Sequence, residues 1–114
     1  MDDAELESDP AVAPEETGID DIKEVELLQA VPSPFNPSTV IGYAIPAAGH
    51  VRLVVFVVNG RLVRTLVDAP VSAGRHRALW QGRDEAGRAV ASGVYFYQLE
   101  AAGRTLRKRM TLLK

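Results

Sequence analysis

The chain has 114 residues, a formal net charge of −2 and no cysteine. This length suits one small domain, and the absence of cysteine excludes a disulfide framework and a cysteine-based metal site. No stretch approaches the roughly 18 apolar residues of a membrane span, and the acidic residues after Met1 do not resemble a signal peptide. If the domain is exported, we therefore expect this chain to be the C-terminal piece of a longer precursor.

The charge is divided sharply along the chain. Residues 1–26 contain eleven acids against Lys23 alone, a net charge of −10. Residues 27–114 contain twelve lysines and arginines against four acids, a net charge of +8. The small overall charge therefore conceals an acidic segment and a basic one.

The acidic segment is predicted to be a linker. It contains Pro10 and Pro14 but no aromatic residue, and such a composition cannot bury enough apolar surface to offset its ordering entropy. We predict that residues 1–24 form a disordered, self-repelling linker and that residues 25–114 form the folded domain. The alternative is an arm that folds back on the basic domain, which is opposed by screening over about 8 Å at physiological salt.

From residue 25 onwards, short β-prone runs alternate with turn residues. This spacing is typical of an antiparallel sandwich or barrel, and no segment shows convincing helical periodicity. Seven short runs predict an all-β fold of two packed antiparallel sheets. The predicted strands are residues 25–30, 39–45, 52–58, 62–67, 76–81, 94–101 and 105–113.

The connections between these runs carry further predictions. Asn59-Gly60 is the two-residue signal of a type I′ hairpin turn, and residues 68–74, which include Pro70, are predicted to form a loop. The prolines of residues 32–37 cannot donate to a β-ladder, so this segment is expected to run along an edge with Phe35 inserted into the core. Trp80 is expected to fill the core between the sheets.

Catalytic and metal-binding chemistry finds little support. His50 and His76 are expected at turns or strand ends, and no G-x-S-x-G elbow accompanies them. Asp84-Glu85 is the one acidic pair of the folded part. It favours a turn, in which Asp84 accepts from backbone N–H groups and Gly87 is left-handed, over a calcium site that needs six to eight oxygens. The sequence therefore predicts neither an enzyme nor a cofactor or metal.

The basic excess does not match a nucleic-acid-binding pattern. Most arginines are scattered over strands and turns without a helix-turn-helix or RNA-recognition signature. The exception is the run from Arg104 to Lys114, where basic residues precede Met110-Thr111-Leu112-Leu113. Charges on a terminal edge strand normally oppose aggregation, but a basic and apolar edge is also suited to recognition by strand addition.

Four motifs in order carry a resemblance to a known family. They are Pro34-Phe35-Asn36-Pro37-Ser38-Thr39, Asn59-Gly60-Arg61, the block from Trp80 to Tyr97, and the closing Met110-Thr111-Leu112-Leu113-Lys114. Residues 32–114 resemble the C-terminal sorting modules of bacterial type IX secretion, which share their immunoglobulin-like fold with the Ig-like module of flagellar hook-capping proteins. The resemblance implies a seven-stranded antiparallel Ig-like β-sandwich.

The resemblance also implies a function. In the sorting family the module directs a secreted protein across the outer membrane to the cell surface, and in many members a sortase-like protease removes it within the upstream linker. The implied partners are the outer-membrane secretion machinery, that protease in the members that are cleaved, and an upstream cargo domain. Gly93, Tyr95, Lys108 and Lys114 are the residues expected to affect recognition, although Tyr95 could serve only the core and Gly93 only a turn.

Two departures and one rival interpretation accompany this resemblance. Val58 stands where members often carry an acid before the hairpin, and Gln81 stands where an acid or Asn is common after the tryptophan. The rival is a structural Ig-like spacer or adhesion module that binds protein or carbohydrate and is not cleaved. A sorting signal is expected to depend on the last few residues, whose removal is expected to cost little stability.

Overall fold

The computed structural model describes residues 22–114, so residues 1–21 of the predicted linker lie outside the described part. The described residues form seven strands, which confirms the all-β prediction. They are β1 (Glu26–Leu27), β2 (Thr39–Ile45), β3 (Gly49–Phe56), β4 (Leu62–Val71), β5 (Gly74–Trp80), β6 (Gly93–Ala101) and β7 (Arg104–Leu112).

The strands form two sheets that pack face to face. One sheet has three strands in the order β1-β2-β5, and the other has four in the order β4-β3-β6-β7. Every pair is antiparallel. Contacts between β1 and β7, and between β4 and β5, close the two sides of the sandwich. This arrangement confirms the predicted Ig-like β-sandwich.

The core lies between the sheets because alternate residues of each strand point inward. Trp80 is 2% exposed, and its Nε1 donates to the Arg83 carbonyl at 2.9 Å. The rings of Phe35 and Tyr95 lie against it, with centroids at 5.5 and 5.2 Å. Phe35 reaches this position from the proline-rich segment, which confirms the predictions for both aromatic residues.

The predicted loop at residues 68–74 is wrong in its first half. β4 continues through Pro70, which lies opposite His50, to Val71, and only Ser72 and Ala73 connect β4 to β5. Proline is tolerated here because β4 is an edge strand, on which one backbone N–H is not needed for the ladder.

The β3–β4 hairpin does not have the predicted type I′ turn, whereas the β6–β7 hairpin has a type I′ turn that was not predicted. Gly60 N donates to the Val57 carbonyl at 2.8 Å, so Val58 and Asn59 are the central turn residues, and Gly60 follows with a φ of 89°. At the β6–β7 hairpin, both turn residues have positive φ, 52° for Ala102 and 75° for Gly103. Positive φ at both positions defines the type I′ turn.

β1 is shorter than the predicted residues 25–30. The Tyr97 hydroxyl donates to the Leu28 carbonyl at 2.7 Å and accepts from Ala30 N at 2.8 Å. These bonds draw the backbone away from β2 after Leu28, and pairing resumes only at the isolated bridge between Val31 and Val40. The buried Tyr97 hydroxyl thus bonds to backbone groups that would otherwise pair with a neighbouring strand.

The division at residues 24 and 25 stays a prediction, since most of the linker lies outside the described residues. Two observations bear on its last three residues. Ile22 is buried, and Glu24 pairs with Arg104 at 3.0 Å. The packed chain therefore begins at least as early as residue 22.

Candidate recognition surface

The surface of interest is built on β7, which pairs with β6 along its whole length. The register runs from Gly93 opposite Leu112 to Ala101 opposite Arg104. Met110 and Leu112 point into the core and are buried, whereas Arg107 and Arg109 lie on the outer face and are exposed. β7 therefore contributes side chains both to the core and to a basic surface.

The apolar end of the β7 edge is covered by the proline-rich segment. Phe35 N donates to the Thr111 carbonyl at 2.9 Å, and Leu113 N donates to the Phe35 carbonyl at 3.0 Å. Thr111 N donates to Ser33 Oγ at 3.3 Å, and Gln29 Nε2 donates to the Arg109 carbonyl at 2.8 Å. Strand addition at this end would have to displace these bonds.

The basic end of the same edge is more open. The bonds to Arg109 and Thr111 show that the odd-numbered residues of β7 direct their backbone groups away from β6. No hydrogen bond from the described residues reaches the outward groups of Thr105 or Arg107. The edge available for recognition is therefore short and cationic.

Two of the four predicted recognition residues meet at the open end of the β6–β7 hairpin. Lys114 N donates to Ser92 Oγ at 3.0 Å, which places the last residue beside the start of β6. Gly93 pairs with Leu112 and has a φ of 153°, and nothing lies within 4 Å of where a Cβ would stand. The conformation at Gly93, rather than a lack of space, favours glycine.

Tyr95 lies beneath this end, in the core. It is 6% exposed, its ring packs edge-on against Trp80, and its hydroxyl donates to the Ala91 carbonyl at 2.6 Å. Burial raises the pKa of its hydroxyl above the usual value of 10.0. Any effect of Tyr95 on recognition must therefore pass through the position of the strand.

Lys108 is separate from the other three residues. It lies opposite Tyr97, on the inner face of β7, yet its side chain is exposed because β7 is at the edge of its sheet. Four residues of strand, roughly 13 Å, separate it from Leu112. An inward-pointing charge on an edge strand opposes edge-to-edge pairing, so this lysine has a structural use as well.

The expectation that the last few residues can be removed at little cost is wrong. Met110 is 1% exposed and Leu112 is 0% exposed, and Leu113 N holds the proline-rich segment. Loss of residues 110–114 would remove two core side chains and the bonds to Phe35. Lys114 is exposed, so its side chain can be altered without touching the core.

Sequence reasoning missed a cluster on the outer face next to β7. The rings of Phe56 and Phe96 stack with centroids at 5.9 Å, and the Arg107 guanidinium lies 4.8 Å above the Phe56 ring. Arg107 also donates from Nε and Nη2 to Gln98 Oε1, at 3.2 and 2.8 Å. The alternation within β6 signalled an outer face, but these pairs require the register of three strands.

The Asp84 turn forms as predicted. Asp84 Oδ1 accepts from Ala86 N and Arg88 N at 3.0 and 2.9 Å, and Gly87 has a φ of 83°. The bond from Arg88 N is the main cause that lowers the pKa of Asp84 below its usual value. Among residues 22–114 there is no group of three or more His, Asp or Glu side chains that could hold a metal ion.

Comparison with known proteins places the chain in a family. An immunoglobulin-like β-sandwich with an aromatic core defines the class, and the family model described as the FlgD Ig-like domain matches residues 36–105. This match covers more than half of the chain, so the chain belongs to the FlgD Ig-like domain family. No curated protein matches.

A solved structure shares the fold. It is that of PorZ from Porphyromonas gingivalis, described as an essential bacterial surface component of the type-IX secretion system. The TM-score is 0.50 with 18% sequence identity over 79% of this chain, which corresponds to 11% of the PorZ chain. The chain thus spans about a tenth of that protein. In the part of the chain that the structure describes, no helix could span a membrane.

Proposed function

We propose that the chain is a non-catalytic C-terminal sorting module that directs an attached protein across the outer membrane to the cell surface. The observation that carries this proposal is the arrangement of β7. Its core side chains hold the strand in place, while Arg107 and Arg109 on the strand and Lys114 just after its end remain exposed. A partner can therefore read this strand without unfolding the domain.

The partners follow from this role. The outer-membrane secretion machinery would contact β7, and an upstream cargo domain would precede the acidic segment. A sortase-like protease would act within residues 1–24. The fold likeness to PorZ, itself described as a surface component of type IX secretion, supports this assignment only as far as the architecture.

The charge of β7 indicates what the receptor must offer. Ion pairs within the described residues join Arg104 to Glu24 and Arg52 to Glu100. No carboxylate of residues 22–114 lies within 4.0 Å of the charged nitrogens of Arg107, Lys108 or Arg109. A receptor surface with acidic side chains would be complementary to these three cations.

A second candidate is favoured by the extent of the family match. The match covers residues 36–105, which include β2 to β6 but neither β1 nor most of β7. A structural Ig-like spacer or adhesion module, bound to protein or carbohydrate and never cleaved, would need β7 for its core but not the exposed charges of Lys108 and Lys114. The two functions therefore differ in their dependence on Lys108 and Lys114.

The test uses charge reversal on the intact strand. The full chain is fused behind a reporter with a signal peptide, in a bacterium that possesses a type IX system, and surface and periplasmic reporter are compared. The variant Lys108→Glu/Lys114→Glu is set against Arg61→Glu, which changes an exposed cation in the β3–β4 turn. Thermal melts of the purified variants verify that each remains folded.

The outcomes separate the two candidates. Surface display of the parent and of Arg61→Glu, with at least about tenfold less for the Lys108→Glu/Lys114→Glu variant, supports sorting, since tenfold corresponds to about 1.4 kcal/mol of recognition. Equal display of the parent and this double variant overturns recognition by these lysines. Periplasmic retention of every fusion favours the spacer.

A further inference from the structure

The outer face of the four-stranded sheet carries a hollow whose side chains are half apolar and half polar. The hollow has a volume of about 240 Å³ and lies between β7 and the β3–β4 turn. The side chains that line it are Val54, Phe56 and Leu62, which are apolar, and Arg52, Gln98 and Arg107, which are polar. Such a lining is suited to a ligand that has both an apolar part and an anionic group.

The register of three strands brings the floor and one wall of this hollow together. Val54 lies opposite Gln98 across β3 and β6, and Gln98 lies opposite Arg107 across β6 and β7. Val54 is on the opposite face from the core residues Leu53 and Val55, yet it is only 4% exposed. It therefore forms an apolar floor beneath the larger side chains of the outer face.

Arg107 is held beside the hollow in a defined orientation. Its guanidinium lies over the Phe56 ring, 4.8 Å from the centroid, and its Nε and Nη2 both donate to Gln98 Oε1. These bonds use the side of the guanidinium that carries Nε, whereas Nη1 donates no bond within residues 22–114. The end formed by Nη1 and Nη2 is therefore available for the two parallel N–H···O bonds that a carboxylate accepts from arginine.

The charges around the hollow favour an anion with a single charge. Arg52 Nη1 pairs with Glu100 Oε2 at 3.3 Å, and Gln98 Nε2 donates to the same oxygen at 2.8 Å. Glu100 thus offsets the charge of Arg52, whereas no carboxylate of residues 22–114 pairs with Arg107. The one remaining positive charge matches a carboxylate better than a phosphorylated side chain, which carries about 1.5 to 2 negative charges.

A glutamate side chain combines the two parts that the hollow requires. Its methylene groups would lie on Val54 and Phe56, and its carboxylate would accept from Nη1 and Nη2 of Arg107. We propose that the hollow binds a glutamate side chain of a partner protein, with Arg107 binding the carboxylate and Gln98 positioning Arg107. The inference does not depend on the sorting function, because a spacer or adhesion module would have the same hollow.

The surface around the hollow indicates which residues should flank that glutamate. Leu62 lies opposite Phe56 and is 44% exposed. Val94 lies two residues before Phe96 on the same face of β6 and is 47% exposed. Aliphatic side chains on the partner would remove this apolar surface from water, which stabilises a complex. The partner segment that fits therefore has aliphatic residues next to the glutamate.

The test titrates the full chain with the capped peptide acetyl-Ala-Val-Glu-Val-Ala-amide and follows the Val54 methyl signals by NMR. We expect saturable binding, and at least about tenfold weaker binding of the same peptide with glutamine in place of glutamate, since bonds between charged groups are about twice as strong as neutral ones. Arg107→Gln should weaken binding of the glutamate peptide by a similar factor. Arg107→Lys, which keeps the charge but not the paired donors, should also bind less tightly than the parent. Gln98→Met should weaken binding and shift the Arg107 Nε–H signal before any peptide is added.

The matched control is Arg109→Gln, which removes a charge from the same face of β7 at a residue that does not line the hollow. Thermal melts verify that each variant is folded. Equal weakening by Arg107→Gln and Arg109→Gln would show only general charge attraction and would overturn the proposal. So would equal binding of the two peptides, or no saturable binding to the parent. Tighter binding of inorganic phosphate than of the glutamate peptide would assign the hollow to phosphate groups instead.

Discussion

At the scale of single residues, backbone conformation and burial decide which substitutions matter. Ala102 is the one non-glycine residue among residues 22–114 with a positive φ. Left-handed backbone costs an ordinary L-residue roughly 1–2 kcal/mol. The protein carries this cost at the tightest hairpin of the domain, between the two strands that form the candidate recognition surface.

Replacement of Ala102 by Asn should therefore stabilise the protein. Asn-Gly suits both positions of a type I′ turn, and we expect a gain of about 0.5–1 kcal/mol, or roughly 4 °C in Tm. Calorimetry of the full chain measures the change. Gly103→Ala should act in the opposite direction, and a lower Tm for Ala102→Asn would contradict the turn assignment.

Trp80→Ala, in contrast, should greatly lower the free energy of unfolding. It removes the largest buried side chain and leaves Phe35 and Tyr95 without a partner, at a cost of about 3–5 kcal/mol. Denaturant unfolding followed by far-UV circular dichroism tests this. Leu79→Ala is the control, because Leu79 is 55% exposed; similar losses for the two variants would contradict the packing described.

At the scale of strands and turns, Glu85 acts as a one-residue cover for an edge. Its backbone N–H and its carboxylate bond to consecutive outward groups of β4, as a neighbouring strand would. The Asp84 turn holds it there, with Arg64 Nη1 donating to the Asp84 carbonyl at 2.9 Å. A loop thus protects an edge strand that contains two irregularities of register.

Glu85→Ala should open this edge. We expect faster exchange of the Thr65 amide and more self-association as protein concentration rises, since an open edge invites pairing between molecules. Exchange NMR and analytical ultracentrifugation follow the two effects. Glu85→Gln retains an acceptor oxygen and should behave much more like the parent. Equal exchange of the Thr65 amide in Glu85→Ala and Glu85→Gln would contradict the conclusion that the Glu85 side chain covers the β4 edge.

The sequence predicted the order and number of strands because period-2 alternation reports burial directly. It predicted both ends of β2 correctly, and it identified Trp80 and Phe35 as core residues. It failed where distant residues decide the outcome. The end of β1 depends on a hydroxyl of Tyr97, and the Arg107 cluster depends on register across β3, β6 and β7. Such contacts have no local signal.

At the scale of the whole molecule, the buried tyrosines link stability to pH. Burial raises the pKa of Tyr43, Tyr95 and Tyr97 above 10.0. The unfolded chain then loses protons before the folded one, so the stability present below about pH 10 declines as the pH rises further. Unfolding measured between about pH 8 and 11 should show this decline. In Tyr97→Phe the free energy of unfolding should fall less steeply as the pH rises. Equal slopes for the variant and the parent would contradict the raised pKa of Tyr97.

The parallel bridge between Phe35 and Leu112 has a mechanical consequence. Tension applied to the two ends of the domain would draw residue 35 toward the N-terminal side and β7 toward the C-terminal side. The two backbone bonds of Phe35 and the bond from Thr111 to Ser33 lie across that direction, so they are loaded in shear and must break together rather than one by one. A domain closed in this way resists stretching, a useful property for any module that tethers a load.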